Sequence, residues 1–145
     1  MPLHILKLCV GAESIADLQG WVTARMSEMV RNGETPEQRH TTRMVPKRVP
    51  ELLDGGSLYW IIKGQVAVRQ ALLGVRPFTD HDGIGRCHLV LDPAMVPVDP
   101  RPHRPFQGWR YLRPEDAPMD FGNLRSDLAA MPEPLRRELR ELGLL

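Results

Sequence analysis

Five of the chain's fourteen prolines, at positions 93, 97, 100, 102 and 105, fall within thirteen residues, and no other feature restricts the fold as much. Each proline locks φ and removes a backbone donor, so this stretch cannot form a regular central strand. Pro132 and Pro134 interrupt a helical pattern over residues 124–142 in the same way. The late part of the chain is therefore expected to hold many turns and few long helices.

Regular structure should concentrate earlier. Leu3 to Val10 reads as a strand with Leu3, Ile5, Lys7 and Cys9 on one face and His4, Leu6, Leu8 and Val10 on the other. Both faces are largely apolar, which suits a central position. Ser14 with Asp17 three residues later is a helix start signal. Ile15, Leu18, Trp21, Val22, Met26, Met29 and Val30 then recur at helical spacing until Asn32-Gly33 stops the pattern. Such a stripe is core packing before it is a cofactor site. Glu34 to Gln38 forms a polar loop. Further strands are expected at Thr41–Val45, Leu58–Lys63, Gln65–Val75, Gly85–Leu91 and Gln107–Leu112, with a short helix at Pro46–Leu53 ended by Gly55-Gly56. Asp82-Gly83 marks a hairpin turn.

With 145 residues the chain is expected to be one domain, close to the prior of roughly 150. Its 42% hydrophobic and 26% charged residues are those of a soluble globular protein. No run approaches the roughly 18 apolar residues of a spanning helix, and residues 1–20 lack the parts of a signal peptide. A cytoplasmic location without a membrane partner is the expectation. Charge divides the domain into three parts: a strand plus helix over 1–35 (net −1), a basic β-rich core over 36–113 (net +5) and an acidic helical tail over 114–145 (net −3). Cys9 and Cys87 lack metal-site spacing and read as buried free thiols, so no metal or cofactor is expected.

The constellation with most chemical content is basic and aromatic. Arg39, His40, Arg43, Lys47 and Arg48 form one run without an acid, and Arg101, His103, Arg104, Arg110 and Arg113 form another. Tyr59, Trp60, Phe106, Trp109 and Tyr111 lie beside or between them, with Lys63 and Gln107 near the aromatics. Phosphates need Lys or Arg, and unpaired bases need flat side chains to stack on. The competing account pairs the arginines with the acidic tail and buries the aromatics. An enzyme acting on a phosphorylated or nucleotide-like small molecule is the alternative, with His40 as candidate base beside Thr41 and Thr42, and arginines as anion clamp. A protein-interaction module is the third reading. Asp80-His81-Asp82-Gly83 lacks the third acid and distant Glu of a calcium loop, and adjacent Cys87 and His88 should point to opposite strand faces. No phosphate-loop, nucleophile-elbow, zincin or paired CxxC motif occurs.

The tracts HILKLCVG, HTTRMVPKRVPELLDGGSLYWIIKG, DGIGRCHLVLDP and RPFQGWRYLRPEDAP resemble the bacterial domain-of-unknown-function family numbered 1489, which implies no activity. Thr42 to Lys63 also resembles the opening of the PUA-like barrels that include the ASCH and EVE domains, whose members bind RNA or modified bases. The ASCH pattern G-x-K-x-x-E-x-R places charges where this chain has Ser57, Trp60 and Ile62, so ASCH-type catalysis is not expected. The expected architecture is α+β: a small mixed or barrel-like sheet, PUA-like, with an N-terminal helix and a proline-rich helical tail. The expected role is a non-enzymatic binding module for RNA or single-stranded or modified nucleic acid, using residues 39–48, 101–113, Trp60 and Lys63.

Overall fold

The computed structural model describes residues 2–121, so the helical pattern of residues 124–142 and most of the acidic tail lie outside the described residues. Seven strands share one mixed sheet: β1 (His4–Leu8), β2 (Gln38–Thr42), β3 (Ser57–Ile62), β4 (Gln65–Thr79), β5 (Gly85–Leu91), β6 (Val96–Pro102) and β7 (Trp109–Leu112). Two helices join them, α1 (Ile15–Arg31) and the single turn α2 (Val49–Leu52). The strand order is β2-β5-β4-β3-β1-β7, and β6 pairs with β4. β1 runs parallel to β3 and antiparallel to β7, so the strand that opens the chain is central, as its two apolar faces require.

Period-two alternation sorts the core into two layers. Ile5, Leu58, Trp60, Ile62 and Trp109 join α1's Leu18 and Val22 on one face. Leu6, Tyr59, Ile61, Val66 and Val98 form the other, against Phe106 and Ala117. α1 starts where expected: the Asp17 amide donates to Ser14 Oγ at 3.1 Å, and Asn32 caps its end. Leu18, Val22 and Met29 are buried, whereas Trp21 and Val30 from the same stripe are exposed.

The proline-rich stretch does form a strand. Pro97, Pro100 and Pro102 lie in β6, whose one ladder among the described residues is with β4 and whose other side holds the single Val98–Asp120 bridge, so the strand lies at the sheet's margin where missing donors cost least. β5 and β6 follow one another along β4, Thr79 to Leu72 pairing with β5 and Arg69 to Gln65 with β6. β4 thus runs past the expected Val75 to Thr79; Pro77 falls where β4 pairs with β5 alone. β2 begins at Gln38, inside the expected loop, because the Gln38 side chain is buried on a partner. It ends at Thr42, whose Oγ1 donates to Met44 O at 2.8 Å and turns the chain.

The sheet is not a closed barrel. Three register shifts, in the β3–β4, β4–β5 and β4–β6 pairings, curl it strongly. No ladder joins β2 to β7 among the described residues. Side chains span that seam instead: Trp109 Nε1 donates to Met44 O at 2.7 Å, and the Tyr111 hydroxyl accepts from the Lys47 and Arg48 amides at 2.9 and 3.2 Å. After β7 a 3-10 turn (Pro114–Asp116) leads back to the sheet, where Arg69 clasps Asp120 with two 2.7 Å bonds. No helix among the described residues is long and apolar enough to cross a membrane.

Cys9 and Cys87 are buried free thiols in separate strand regions. Burial pushes Cys9 up to about 11, so its thiolate is scarce near neutral pH. Titration in denaturant without reductant should find two thiols per chain, and the native protein should react slowly. Fewer than two would mean that the buried pair has another state.

Candidate functional site

The curl brings β2 opposite β1 and β3, and α1 roofs the space between them. The result is a cavity of about 250 Å³ between α1, the end of β1 and β2. Lys7, Trp21, Arg25, Arg39, His40 and Trp60 all contribute to its lining. No acidic side chain does so among the described residues.

Each group is placed by local rules. Lys7 occupies the core-facing parity of β1, in register with Trp60 on one side and Trp109 on the other. It is the single charge in that row, and burial holds its ammonium below the usual lysine range. Gln38 and His40 share the inward face of β2, leaving Arg39 and Thr41 outward. Gln38 and Gln70 exchange bonds of 3.0 and 2.5 Å, Trp60 Nε1 donates to Gln70 Oε1 at 2.8 Å, and Gln70 Nε2 also donates to Asp92 O. Gln70 thereby uses both of its N–H donors and both lone pairs of its oxygen. The His40 ring stands edge-on to Trp60 at 5.0 Å, and its Nε2 is sealed from solvent without a hydrogen-bond partner. Burial, aided by the Lys7 charge, pushes His40 down to about 4, so the ring is neutral near pH 7.

Trp21 is 50% exposed at the mouth, and its indole rests over Gly11, where an added Cβ would lie 3.3 Å from it. Outside, Glu37 pairs with both Arg39, at 2.7 Å, and Arg76, so two cations share one acid. Burial holds the His88 imidazole below its usual range, and the positive charges of Arg39, Arg76 and Arg25 add to the effect against the opposing charge of Glu37. His88 in turn stacks on Phe78 at 4.2 Å and lies 3.1 Å from Thr41 Oγ1.

Of the residues singled out in sequence, the cavity gathers Arg39, His40 and Trp60. Others go elsewhere. Lys47, Arg48, Trp109 and Tyr111 meet at the β2–β7 seam, where Arg48 also pairs with Glu51 and lies 5.8 Å from the Tyr111 ring centre. Arg110 sits over Phe106 at 4.4 Å on the other sheet face. Lys63 stands at the β3–β4 turn, 3.9 Å from Glu13. Arg43, Arg101, Arg104 and Gln107 are exposed. Trp60 and Trp109 are 3% and 5% exposed, so neither offers a face to a stacking base; the alternation that aims them inward buries them under α1 and the seam. Pairing with the tail region accounts for Arg69 and, through Glu115 and Asp116, Arg113.

Sequence reasoning passed over Lys7, Trp21, Arg25, Arg76 and the Phe78–His88 pair. Two signals were present: a lone lysine in an apolar alternation, and a helical stripe too wide to be wholly buried.

The chain matches none of the curated proteins and none of the solved structures with which it was compared. A family model described as "Protein of unknown function (DUF1489)" matches residues 5–145, nearly the whole chain and, His4 aside, all four tracts noted above. The chain therefore belongs to the DUF1489 family.

Proposed function

We propose that the chain is a non-enzymatic module that binds RNA or another single-stranded nucleic acid, taking one unpaired base into the cavity beside α1. The observation that carries this reading is a small cavity with an exposed tryptophan at its mouth, Arg25 and Arg39 but no acid in its lining among the described residues, and Arg76 joined to Arg39 through Glu37. A base stacked on Trp21 would leave its backbone phosphates to Arg25, Arg39 and Arg76. The volume of about 250 Å³ lies just under the range of roughly 300 to 1,000 Å³ typical of drug-sized ligands, in keeping with a single base. Fold analogy points the same way, since Thr42 to Lys63 resembles the start of PUA-like barrels that hold RNA or modified bases, but analogy alone does not assign function.

The enzymatic alternative draws less support. A general base works best with a pKa near the operating pH, and His40 lies near 4. It is better suited to hydrogen bonding than to proton abstraction.

Fluorescence anisotropy with a short labelled RNA tests the reading. Three phosphate contacts predict a salt slope of about −2, at roughly 0.7 per contact for a single strand. Trp21→Ala should weaken binding by about 1–3 kcal/mol, the value of one base–aromatic stack, while leaving the melting temperature close to wild type. Salt-independent or absent binding by the wild-type chain would sink the reading.

A further inference from the structure

Lys7 brings an amine into the cavity without a counter-charge among the described residues. It belongs to the core-facing row of β1, half-buried in a lining that it shares with Cys9, Trp21 and Trp60. Lys63, by contrast, has Glu13 at 3.9 Å. The Lys7 charge is felt by Cys9 and His40, and burial keeps the first protonated and the second neutral near pH 7. The other charges in the lining, Arg25 and Arg39, are themselves cations on exposed residues. Burial also holds the Lys7 ammonium below the usual lysine range. A lysine desolvated in this way, beside other cations, is a nucleophile toward carbonyl carbon.

We propose that the cavity holds a small anionic carbonyl compound, a 2-oxo acid or a phosphorylated aldehyde, as a reversible imine of Lys7. The Nζ lone pair attacks the carbonyl carbon and one N–H proton passes to the oxygen. The carbinolamine then loses its hydroxyl and the second N–H proton as water, leaving C=N. Nothing is oxidised or reduced, and water reverses the step. The carboxylate or phosphate goes to Arg25 and Arg39, which gives two cations beside a third a common purpose. A volume of about 250 Å³, under the range of drug-sized ligands, suits a compound of a few carbons. This inference goes beyond base binding and does not rest on it.

The test is reductive trapping of the full chain with cyanoborohydride, using glyoxylate, glyceraldehyde 3-phosphate or neutral acetaldehyde as the carbonyl probe. Peptide mapping by mass spectrometry reads Lys7 apart from Lys47 and Lys63, the chain's other two lysines. Both of those are exposed and serve as internal standards. Relative to them, at least one anionic probe should label Lys7 about 10- to 150-fold faster than acetaldehyde does, the worth of one charge-assisted hydrogen bond. A preference confined to glyoxylate supports the 2-oxo acid, and one confined to glyceraldehyde 3-phosphate the phosphorylated aldehyde. Replacing both arginines, Arg25→Gln with Arg39→Gln, should abolish the preference while Lys7 is still labelled. The wild-type comparison stands even where that variant folds poorly. Labelling of Lys7 no faster than that of Lys47 and Lys63 by either anionic probe would overturn the proposal. Equal relative labelling by all three probes would overturn it too, since the anion would then play no part. RNA binding is read separately by anisotropy, so the two readings fail independently.

Discussion

Gly56→Ala is expected to destabilise the fold by more than about 4 kcal/mol, beyond the usual range for a single substitution. A Cβ at this position would lie 2.2 Å from Leu3 O and 2.3 Å from Leu52 O. Both are backbone atoms, so no flexible side chain can move aside. The peptide is also fixed by its own bonds: Gly56 N donates to Leu52 O at 3.0 Å, and Gly56 O accepts from Leu72 N at 2.9 Å. Leu3 N in turn donates to Glu51 O at 3.1 Å, tying β1 to α2. Relief would require α2 or β1 to shift, and β3, which starts at Ser57, is buried along its whole length. Gly64→Ala is the control, since that site has open space and only the cost of φ +75, roughly 1 kcal/mol. Urea midpoints for the two variants decide the matter. A Gly56→Ala loss no greater than that of Gly64→Ala would show that β1 and α2 do not approach this closely.

Trp109→Ala should cost about 3–5 kcal/mol, the range for deleting a buried aromatic ring. The indole is 5% exposed, stands edge-on to Tyr111 at 4.9 Å and holds Met44 O across the β2–β7 seam. Trp109→Phe keeps most of the volume but leaves that carbonyl without its donor, so it should fall between the two, about 1–3 kcal/mol below wild type. RNA affinity of the folded fraction should be unchanged in both, because the proposed base site lies beside Trp21 and away from the seam. Unchanged urea midpoints together with a loss of RNA binding would return Trp109 to the ligand and remove it from the core.

What the sequence made legible follows from periodicity. The alternation of Leu3 to Val10 foretold two buried faces and a strand flanked on both sides, which holds over His4–Leu8 while Val10 lies past the strand and exposed, and Ser14, Asp17 and Asn32 foretold the ends of α1. The Gly55-Gly56 pair announced a stop, yet the reason Gly56 must be glycine is the approach of Leu3, fifty-three residues earlier in the chain. Composition identified the basic and aromatic character but not its distribution. Runs such as Arg39 to Arg48 look continuous in sequence, whereas the turn at Thr42 sends Arg39 and His40 to the cavity and Lys47 and Arg48 to the seam. Cationic groups from α1 and β4, Arg25 and Arg76, reach Arg39 only because the sheet curls, and curl is set by bulges that leave no local signature.

The central place of β1 sets a timetable for the chain's birth. Its partners are β3, whose register pairs Ile5 with Leu58, and β7, whose register pairs Lys7 with Trp109. At roughly 5–20 residues per second, a ribosome needs about 5–20 s to travel the hundred or so residues between Lys7 and Trp109. For that interval the segment, rich in leucine and isoleucine, waits with at least one edge unpaired, the condition in which such segments join neighbouring chains. Lys7 and His4 interrupt its apolar run and blunt that hazard. The lysine that lines the cavity of the finished protein thus also guards the nascent one.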